Sequence, residues 1–409
     1  MRILVISNLY PPYYVGGYEL GCRDVVEGLK ARGHDVKVLT STYKVGTAQQ
    51  DGAVYRWLEA DLEWVRPLKF HEYCFKLLKK EIINQRAFKR LCSVFKPNVV
   101  YMWNLTHVSL SLALMAQQAG FSVHYFVFDN WLSRWDSDPW YSLWNRQPRR
   151  VTSRLGKQSL RPILSVAGLV VPSNSLDLRH VQFASLYLKQ FALQAGKPVG
   201  EAKVIHWGVD ANQYSYDKSV PHNPKQLLYV GQIVRHKGVH TAIQALKVIV
   251  QQPGYESATL TIVGGTIVPD YEAYVRGLVY SLGLESRVLF TGLIRRESLP
   301  PIYQEHDILI FPSVWDEPFG ITLLEAMSSG LAVVGTDNGG SRDILEDEVN
   351  ALVFPKEDTG ACAMQVLRLM EDSELFERIR KHGRRMVEEK FRFESMMDKI
   401  ERSLNEAIA

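Results

Sequence analysis

The feature that most constrains the fold is a repeated alternation of short apolar runs with amphipathic helical patterns. The apolar runs fall into two arrays, at 3–7, 36–39, 99–102, 122–128 and 168–171, and then at 227–231, 260–263, 288–290, 308–311 and 332–334. Strands that alternate with helices pair in parallel, because each helix carries the chain back along the sheet. The segment 204–224 between the arrays is typical of a linker. We therefore predict an α/β protein built from two Rossmann-like domains.

The predicted domain boundaries follow from these arrays. The first domain spans 1–205 and the second spans 206–390, each with a parallel sheet. A last amphipathic pattern has nothing after it to pack on, so we expect a helix at about 390–409 that returns to the first domain. Its apolar positions are Met397, Ile400, Leu404 and Ile408.

Composition excludes several classes of protein. The chain has 409 residues, with 48 Lys and Arg against 44 Asp and Glu, and a net charge of +4 is too weak to indicate nucleic-acid binding. The four cysteines are scattered without a CxxC pair, which favours reduced thiols in a cytoplasmic protein. The N-terminal apolar run is too short for a signal peptide, and no run is long enough to span a membrane.

The stretch from Ile308 to Met327 predicts a ligand site. It reads as a strand, a loop with Glu317, and a helix with Glu325, in an order that puts the loop at the carboxyl end of a parallel sheet. The amides of Phe319, Gly320 and Ile321 at the helix start would attract a diphosphate. Two carboxylates beside phosphates repel them unless each carboxylate points at hydroxyl groups. A ligand with a sugar and a ribose would supply those hydroxyl groups. The alternative is a buried strand followed by an ordinary solvated helix.

Two further loops could contact the same phosphates. In 231–238, Lys237 is the first candidate for binding the diphosphate and Arg235 is a weaker one. Gly16 and Gly17 would let the backbone approach the phosphates closely, because glycine has no side chain. The alternative for 231–238 is a solvated basic loop, and the alternative for Gly16 and Gly17 is a tight turn before a helix.

Several motifs occur together in one order along the whole chain, and they resemble those of the retaining glycosyltransferases of family 4, which have the GT-B fold. The motifs are Pro12 with Gly16, Gly17 and Glu19; Lys237 with Gly238; Phe290 with Gly292; Tyr303 with Asp307; Pro312 with Ser313; the pair Glu317 and Glu325; and Gly339 with Gly340.

The resemblance implies that the second domain binds a nucleotide-sugar donor and the first domain binds the acceptor. In its terms Glu317 contacts hexose hydroxyls, Glu325 holds the ribose, and Lys237 binds the diphosphate, so that Glu317 and Lys237 carry the catalysis. The base of the nucleotide would lie near Leu293, and neither a cofactor nor a metal is needed. From the family we expect UDP-glucose as the donor, and GDP-mannose or an N-acetylhexosamine donor as the next choices.

This chain departs from the family pattern at two places. Gln232 stands where an Arg is common, so Arg235 is left as its substitute in the donor site. Phe128 stands where a His is common, which leaves Asn104, His107 and Asp129 as acceptor-side candidates. A nearby aromatic-rich stretch, 131–154, adds Trp131 as a surface on which a sugar could stack, although a cap over the core would have the same composition.

No residue reads as a covalent nucleophile, so the sequence favours a front-face displacement over a double displacement. A non-catalytic sugar-nucleotide-binding module and a sugar-nucleotide epimerase are the alternative functions. A nucleotide-dependent oxidoreductase lacks support because the first loop has no GxGxxG. Asp136 and Asp138 form the DxD pattern of metal-dependent transferases, but they do not lie at the end of a predicted strand.

The basic, partly apolar helix at 69–90 suggests either ordinary packing or a peripheral position on the inner membrane surface, where a saccharide or lipid-linked acceptor would be extended.

Overall fold

In the computed structural model, the described residues are 1–62, 69–146, 151–172, 175–214 and 224–406. Contacts divide the chain into two compact units. Unit 1 is Met1–Ile205 together with the segment from Met397, and unit 2 is His206–Met396. Of the predicted linker, residues 215–223 lie outside the described residues, as does Ile408.

Unit 1 is built on one sheet with the strand order β3-β4-β2-β1-β5-β6-β7-β8. Every pairing in it is parallel except that of β3 with β4. Its elements in chain order are β1 (Arg2–Ser7), α1 (Gly17–Ala31), β2 (Asp35–Ser41), β3 (Gln49–Asp51), β4 (Val54–Leu58), α2 (Phe70–Phe95), β5 (Val99–Asn104), α3 (Ser111–Gln118), β6 (Ser122–Val127), α4 (Pro139–Asn145), α5 (Val151–Val166), β7 (Val181–Phe183), α6 (Leu186–Gln194) and β8 (Lys203–Val204).

Unit 2 is built on an all-parallel sheet with the strand order β11-β10-β9-β12-β13-β14. Its elements in chain order are β9 (Gln226–Val230), α7 (Val239–Val250), β10 (Thr259–Val263), α8 (Pro269–Ser281), β11 (Val288–Gly292), α9 (Pro300–Gln304), β12 (Ile308–Phe311), α10 (Ile321–Ser328), β13 (Ala332–Gly335), β14 (Leu352–Val353), α11 (Thr359–Glu371), α12 (Ser373–Lys390) and α13 (Phe393–Glu406), the last of which continues into unit 1.

The predicted parallel sheets are confirmed, and their strand orders place the loops that matter. In unit 2 the strand connections lead outward from β9 in one direction and from β12 in the other, although β9 and β12 are neighbours. In unit 1 the same reversal occurs between β1 and β5. Such switch points leave a crevice beyond the carboxyl ends of the two strands, because the flanking helices lie on opposite faces of the sheet.

The prediction of a strand at 168–171 is wrong. These residues form an irregular connection after α5, and the strand that extends the sheet is β7. Leu169 and Val170 are apolar because they pack with Leu77, Trp140 and Trp144 in a small core cluster.

The C-terminal helix α13 packs on unit 1 through the apolar positions that the sequence indicated. Met397, Ile400 and Leu404 are fully buried, and the methyl group of Met397 fills the space that the absent side chain of Gly28 leaves on α1. Two ion pairs from Arg32, to Asp398 and Glu401, fix the same helix at its outer edge. Among the described residues, no helix is both long enough and apolar enough to cross a membrane.

Candidate functional site

The loop after β12 is held in place by hydrogen bonds to neighbouring segments. The carbonyl of Ser313 accepts hydrogen bonds from Thr336 Oγ1 at 2.7 Å and from Asn338 Nδ2 at 2.8 Å. The amide of Val314 donates to the carbonyl of His236, 2.9 Å away, which joins this loop to the loop after β9. The two loops at the switch point of unit 2 therefore form one structure.

Glu317 and Lys237 form a buried ion pair at the centre of these loops. Lys237 Nζ lies 2.8 Å from both carboxylate oxygens, and Ser313 Oγ donates to Oε1 from 2.6 Å. The carboxylate is 3% exposed, whereas about a quarter of the Lys237 side chain reaches solvent. The ammonium also lies 5.8 Å from the ring centroid of Trp315. The cation is therefore the solvent-facing member of the pair, with the anion directly behind it.

Gly339 and Gly340 explain how the backbone of Glu317 is fixed. A Cβ at Gly339 would lie 2.5 Å from the carbonyl oxygen of Glu317, and one at Gly340 would lie 2.2 Å from that of Pro318. The amide of Gly340 donates to the Glu317 carbonyl, and the amide of Glu317 donates to the Asn338 carbonyl. Only residues without side chains allow this close approach, so the glycine pair sets the position of Glu317.

The start of α10 is a helix N-terminus without a side-chain cap. The helix follows Gly320, whose φ of 113° places it in a left-handed conformation, and no side chain caps the first turn. That turn contains no acidic residue, and Ile321 and Thr322 are half-buried. Phe319 is buried and stacks on His206 at a centroid distance of 5.8 Å. The amides from Gly320 onward therefore form a positive helix end that suits an anion.

Glu325 is a second buried carboxylate, held by three donors from other parts of unit 2. Arg296 Nε and Tyr214 Oη donate to Oε1 from 2.8 and 2.9 Å, and Tyr303 Oη donates to Oε2 from 3.0 Å. Burial, followed by the charge of Glu325, raises the pKa of both tyrosines, which keeps them protonated donors. Because two carboxylate oxygens accept about four hydrogen bonds, Oε2 retains capacity for a ligand hydroxyl.

The loop after β9 depends on Gly238. Its φ is +71°, and a Cβ there would lie 1.8 Å from the carbonyl oxygen of Pro312. The side chain of Arg235 is exposed, and the carbonyl of Gln232 accepts a hydrogen bond from Tyr229 Oη at 2.8 Å. The loop thus brings Lys237 to Glu317 while Arg235 points to solvent.

The other residues predicted to bind the sugar donor lie at two places. Leu293, directly after β11 in unit 2, is 77% exposed and is close to Gly265. In unit 1, Gly16 and Gly17 begin α1, and Glu19 caps the turn by accepting from the amides of Val15 and Gly16. Neither glycine has a positive φ, and a Cβ on either would meet nothing closer than 3.5 Å. The structure thus places both glycines in the turn that begins α1, where neither needs a left-handed conformation.

Three of the four acceptor-side candidates meet at the switch point of unit 1. Asn104 Nδ2 donates to Asp129 Oδ2 at 2.7 Å, and the backbone amide of Trp131 donates to Asp129 Oδ1 at 2.9 Å. Burial raises the pKa of Asp129 to about 6. Phe128, in the position of the expected His, is buried and stacks on Phe126.

His107 has a different role from the other three. Its carbonyl accepts from Lys80 Nζ at 3.1 Å and from the amide of Asp61, and its φ of 66° fits a turn. Burial, and then the charge of Lys80, lowers the pKa of its imidazole. Lys80 is itself paired with Asp61, so this group is part of the packing of α2.

The aromatic-rich stretch forms a cap over the core, and the described part of it offers no stacking platform. Its large rings are buried: Trp131, Trp135, Trp140, Tyr141 and Trp144. Residues 147–150 of the stretch lie outside the described residues. Asp138 caps α4 by accepting from the amide of Tyr141, and Asp136 pairs with Lys197 at 2.7 Å. Within the described ranges, no three His, Cys, Asp or Glu side chains are grouped closely enough to hold a metal.

Sequence reasoning missed the roles of four residues that hold the carboxylates. Ser313 and Tyr303 carried a signal, because each belongs to a motif, but their bonds to Glu317 and Glu325 were not foreseen. Arg296 and Tyr214 carried none, since one lies in a charged connection and the other at the edge of the linker. Their roles depend on contacts with Glu325 across 29 and 111 residues of sequence.

Comparisons with known families match both halves of the chain. The family described as "Glycosyl transferases group 1" matches residues 211–386, and the family described as "Glycosyl transferase 4-like domain" matches residues 16–179. The chain is 25% identical over 427 residues to an uncharacterized glycosyltransferase of Methanocaldococcus jannaschii, covering 97% of this chain and 96% of that protein. It is also 25% identical to glycogen synthase of Mycobacterium tuberculosis, covering 97% and 92%.

Solved structures show the same fold along the whole chain. Sucrose-phosphate synthase from Thermosynechococcus elongatus superposes with a TM-score of 0.74 at 21% identity, covering 99% of this chain and 98% of that one. HepE from Anabaena, in complex with UDP and glucose, gives a TM-score of 0.69 at 21% identity, covering 99% and 100%.

Proposed function

Because the chain belongs to the group 1 glycosyltransferases of the family 4 type, which have the GT-B fold, we propose that it transfers a hexose from a nucleotide diphosphate sugar with retention of configuration. The donor that we propose is of the UDP-glucose type, and the acceptor is a saccharide or a lipid-linked saccharide. HepE, a structural neighbour, has been solved with UDP-glucose, which supports the choice of donor.

The observation that carries this proposal is the arrangement of charge at the switch point of unit 2. The two buried carboxylates, Glu317 and Glu325, belong to one turn-and-helix segment, and the uncapped start of α10 lies between them in sequence. Lys237 adds a cation beside Glu317. A ligand with hydroxyls at both ends and a diphosphate in the middle satisfies all of these groups at once, and a nucleotide sugar has that form.

The proposed reaction is a front-face displacement. The bond from the anomeric carbon to the diphosphate oxygen breaks, and its electron pair leaves with the diphosphate. The acceptor hydroxyl oxygen bonds to the same carbon from the same face, and its proton passes to a phosphate oxygen. Lys237 and the amides of α10 stabilise the negative charge on the leaving group, and Glu317 orients the hexose through its hydroxyls.

We propose that no metal is required, because Lys237 and the start of α10 supply the positive charge that the leaving diphosphate needs. Within unit 1, the group formed by Asn104, Asp129 and Trp131 is the proposed acceptor-binding group. The four cysteines are free thiols, which agrees with a proposed cytoplasmic location.

A two-step experiment tests the function. Thermal stability is first measured with a panel of nucleotide sugars, since a ligand that binds the folded state raises the melting temperature by mass action. Transfer and hydrolysis of the best donor are then followed in EDTA, with and without saccharide and lipid-linked acceptors. We expect stabilisation by a UDP-sugar and acceptor-dependent release of UDP, both without added metal, and loss of turnover in Glu317→Ala with the fold retained.

Each alternative gives a distinct result. Stabilisation without turnover would indicate a binding module, and conversion of the donor sugar without any acceptor would indicate an epimerase. Full transfer by Glu317→Ala would remove the proposed role of that residue. A product of inverted configuration would overturn the retaining mechanism.

A further inference from the structure

The β11–α9 connection, residues 293–299, follows the edge strand of the sheet of unit 2. Its backbone forms one short turn, in which the amide of Ser298 donates to the carbonyl of Arg295 at 2.9 Å. Most of its side chains are exposed, including that of Leu293. The local hydrogen bond shapes the connection but does not join it to the rest of unit 2.

Arg296 joins this connection to α10. Its Nε donates to Glu325 Oε1 from 2.8 Å, across 29 residues of sequence. Only 16% of the Arg296 side chain and 3% of the Glu325 side chain reach solvent. The preceding residue, Arg295, has the same charge but is exposed. Two neighbouring arginines thus have different surroundings, because one meets the buried carboxylate and the other meets water.

The guanidinium of Arg296 is the charged member among the three donors described for Glu325. The other two, Tyr214 and Tyr303, are neutral phenols whose pKa is raised, first of all by burial. A buried carboxylate is costly unless a cation compensates its charge, and a hydrogen bond with charged partners is about twice as strong as a neutral one. Arg296 therefore supplies the charge compensation, and its planar guanidinium also restricts how the carboxylate is oriented.

Arg296 also lies between the two places assigned to the nucleoside. It comes three residues after Leu293, near which the base of the nucleotide is expected. Its contact with Glu325 reaches the carboxylate assigned to the ribose. One side chain thus connects the segment proposed for the base with the residue proposed for the ribose.

We propose that Arg296 is a positioning residue for the nucleoside half of the donor. It acts through Glu325, whose carboxylate it holds for the ribose hydroxyls, and through the β11–α9 connection, which it holds beside α10. This inference rests on the proposed function, because it needs a nucleotide sugar in this site. It assigns to Arg296 no contact with the ligand.

The diphosphate half of the site is held by other groups. Lys237 and Ser313 contact Glu317, not Glu325. The start of α10 at Ile321 is a backbone feature that does not depend on the Arg296 side chain. Loss of Arg296 should therefore weaken nucleotide binding while leaving in place the groups assigned to the departing diphosphate.

Calorimetry with UDP tests this role. Arg296→Met should raise the Kd of UDP by about tenfold or more, as for the loss of a hydrogen bond between charged groups. The kcat at saturating donor should change much less. Arg296→Lys keeps the charge without the planar fork, so its Kd should lie between those of Arg296→Met and the unmodified protein. If Arg296→Met does not fold, an unchanged Kd in Arg296→Lys would refute the proposal.

A double-mutant cycle separates positioning from a general loss of stability. Because Arg296 acts through Glu325, Arg296→Met/Glu325→Gln should lose less affinity for UDP than the product of the two single losses. Losses that multiply in full would show that the two residues act independently, which contradicts the proposed route.

Arg295→Met is the matched control, because it removes the same charge from the adjacent, exposed position. It should bind UDP within about twofold of the unmodified protein. Equal losses in Arg295→Met and Arg296→Met would refute the positioning role. Failure of the proposed function gives a different result, since the unmodified protein would then bind no nucleotide. Equal UDP binding with and without the Arg296 side chain would remove only the present inference.

Discussion

Lys237 Nζ lies 2.8 Å from each carboxylate oxygen of Glu317, although 80 residues separate the two in sequence. The pair joins the loops after β9 and β12, and it is set by Gly238 on one side and by Gly339 and Gly340 on the other. Without a ligand each charge thus satisfies the other. A nucleotide sugar would add its diphosphate and its hydroxyls to a pair that is already oriented.

Breaking this pair from one side should affect both activity and stability. In Lys237→Met the carboxylate of Glu317 stays buried with Ser313 as its remaining side-chain donor, so the melting temperature should fall, and transfer should drop by at least about 100-fold. The double variant Lys237→Met/Glu317→Gln should regain most of the melting temperature without regaining transfer. Differential scanning fluorimetry and a donor-release assay measure the two effects.

Lys203→Met is the control, because Lys203 pairs with Glu406 in a half-exposed site. Exposed pairs contribute little, so this variant should match the unmodified protein in both assays. If Lys237→Met also matched it, the pair would have no role in either property.

Glu325→Gln should weaken donor binding more than it slows the chemical step. The amide keeps the shape of the side chain but removes the negative charge that Arg296 Nε contacts and alters the group assigned to the ribose. We expect the donor KM to rise by about tenfold or more with a smaller change in kcat, as for the loss of a charged hydrogen bond. Glu348→Gln, which alters the more exposed pair with Arg368, should leave the donor KM unchanged. A fall in kcat alone would contradict a binding role.

Gly238→Ala should lower the free energy of unfolding far more than the left-handed backbone conformation at this position alone predicts. Gly238 and Gly283 have similar φ values, +71° and +65°, but a Cβ at Gly283 meets nothing within 4 Å. Gly283→Ala therefore measures only the left-handed strain, about 1–2 kcal/mol. Gly238→Ala adds a collision with the Pro312 carbonyl and should lower the free energy of unfolding clearly more, as measured by urea titration. Equal losses in the two variants would show that the loop relaxes freely.

Glu81 on α2 should make stability depend on pH. Burial raises the pKa of its carboxyl from 4.5 to about 7, against the lowering effect of hydrogen bonds from Ser109 and Ser111. Between these values the folded state holds a proton that the unfolded state has lost, so this contribution to stability is present below about pH 4.5 and is lost as pH rises towards 7.

Glu81→Gln should remove this dependence. Its free energy of unfolding relative to that of the unmodified protein should increase with pH across that window by up to about 3 kcal/mol. Glu27→Gln, at an exposed position on α1, should show no such trend. Parallel pH profiles for Glu81→Gln and the unmodified protein would contradict a raised pKa.

The sequence by itself determined the parallel architecture and most of the candidate donor residues. Apolar runs such as Ile308–Phe311 are buried on both faces of a sheet, and their alternation with helices leaves few other topologies. Glu317, Lys237 and Glu325 could be selected because each follows such a run in a loop or a helix start, where the carboxyl ends of strands meet.

Tertiary structure alone decided which groups satisfy those residues. Ser313, Arg296 and Tyr214 hold the two carboxylates through contacts between distant segments, and local pattern carries no information about such pairs. The same reason explains the misplaced strand. Leu169 and Val170 are apolar because Trp140 and Trp144 cover them, whereas the true strand β7 contains the buried Gln182, bonded to Tyr101 Oη at 2.7 Å. Burial follows from packing partners that only the fold supplies, so an apolar run can be a cap contact and a polar residue can lie within a core strand.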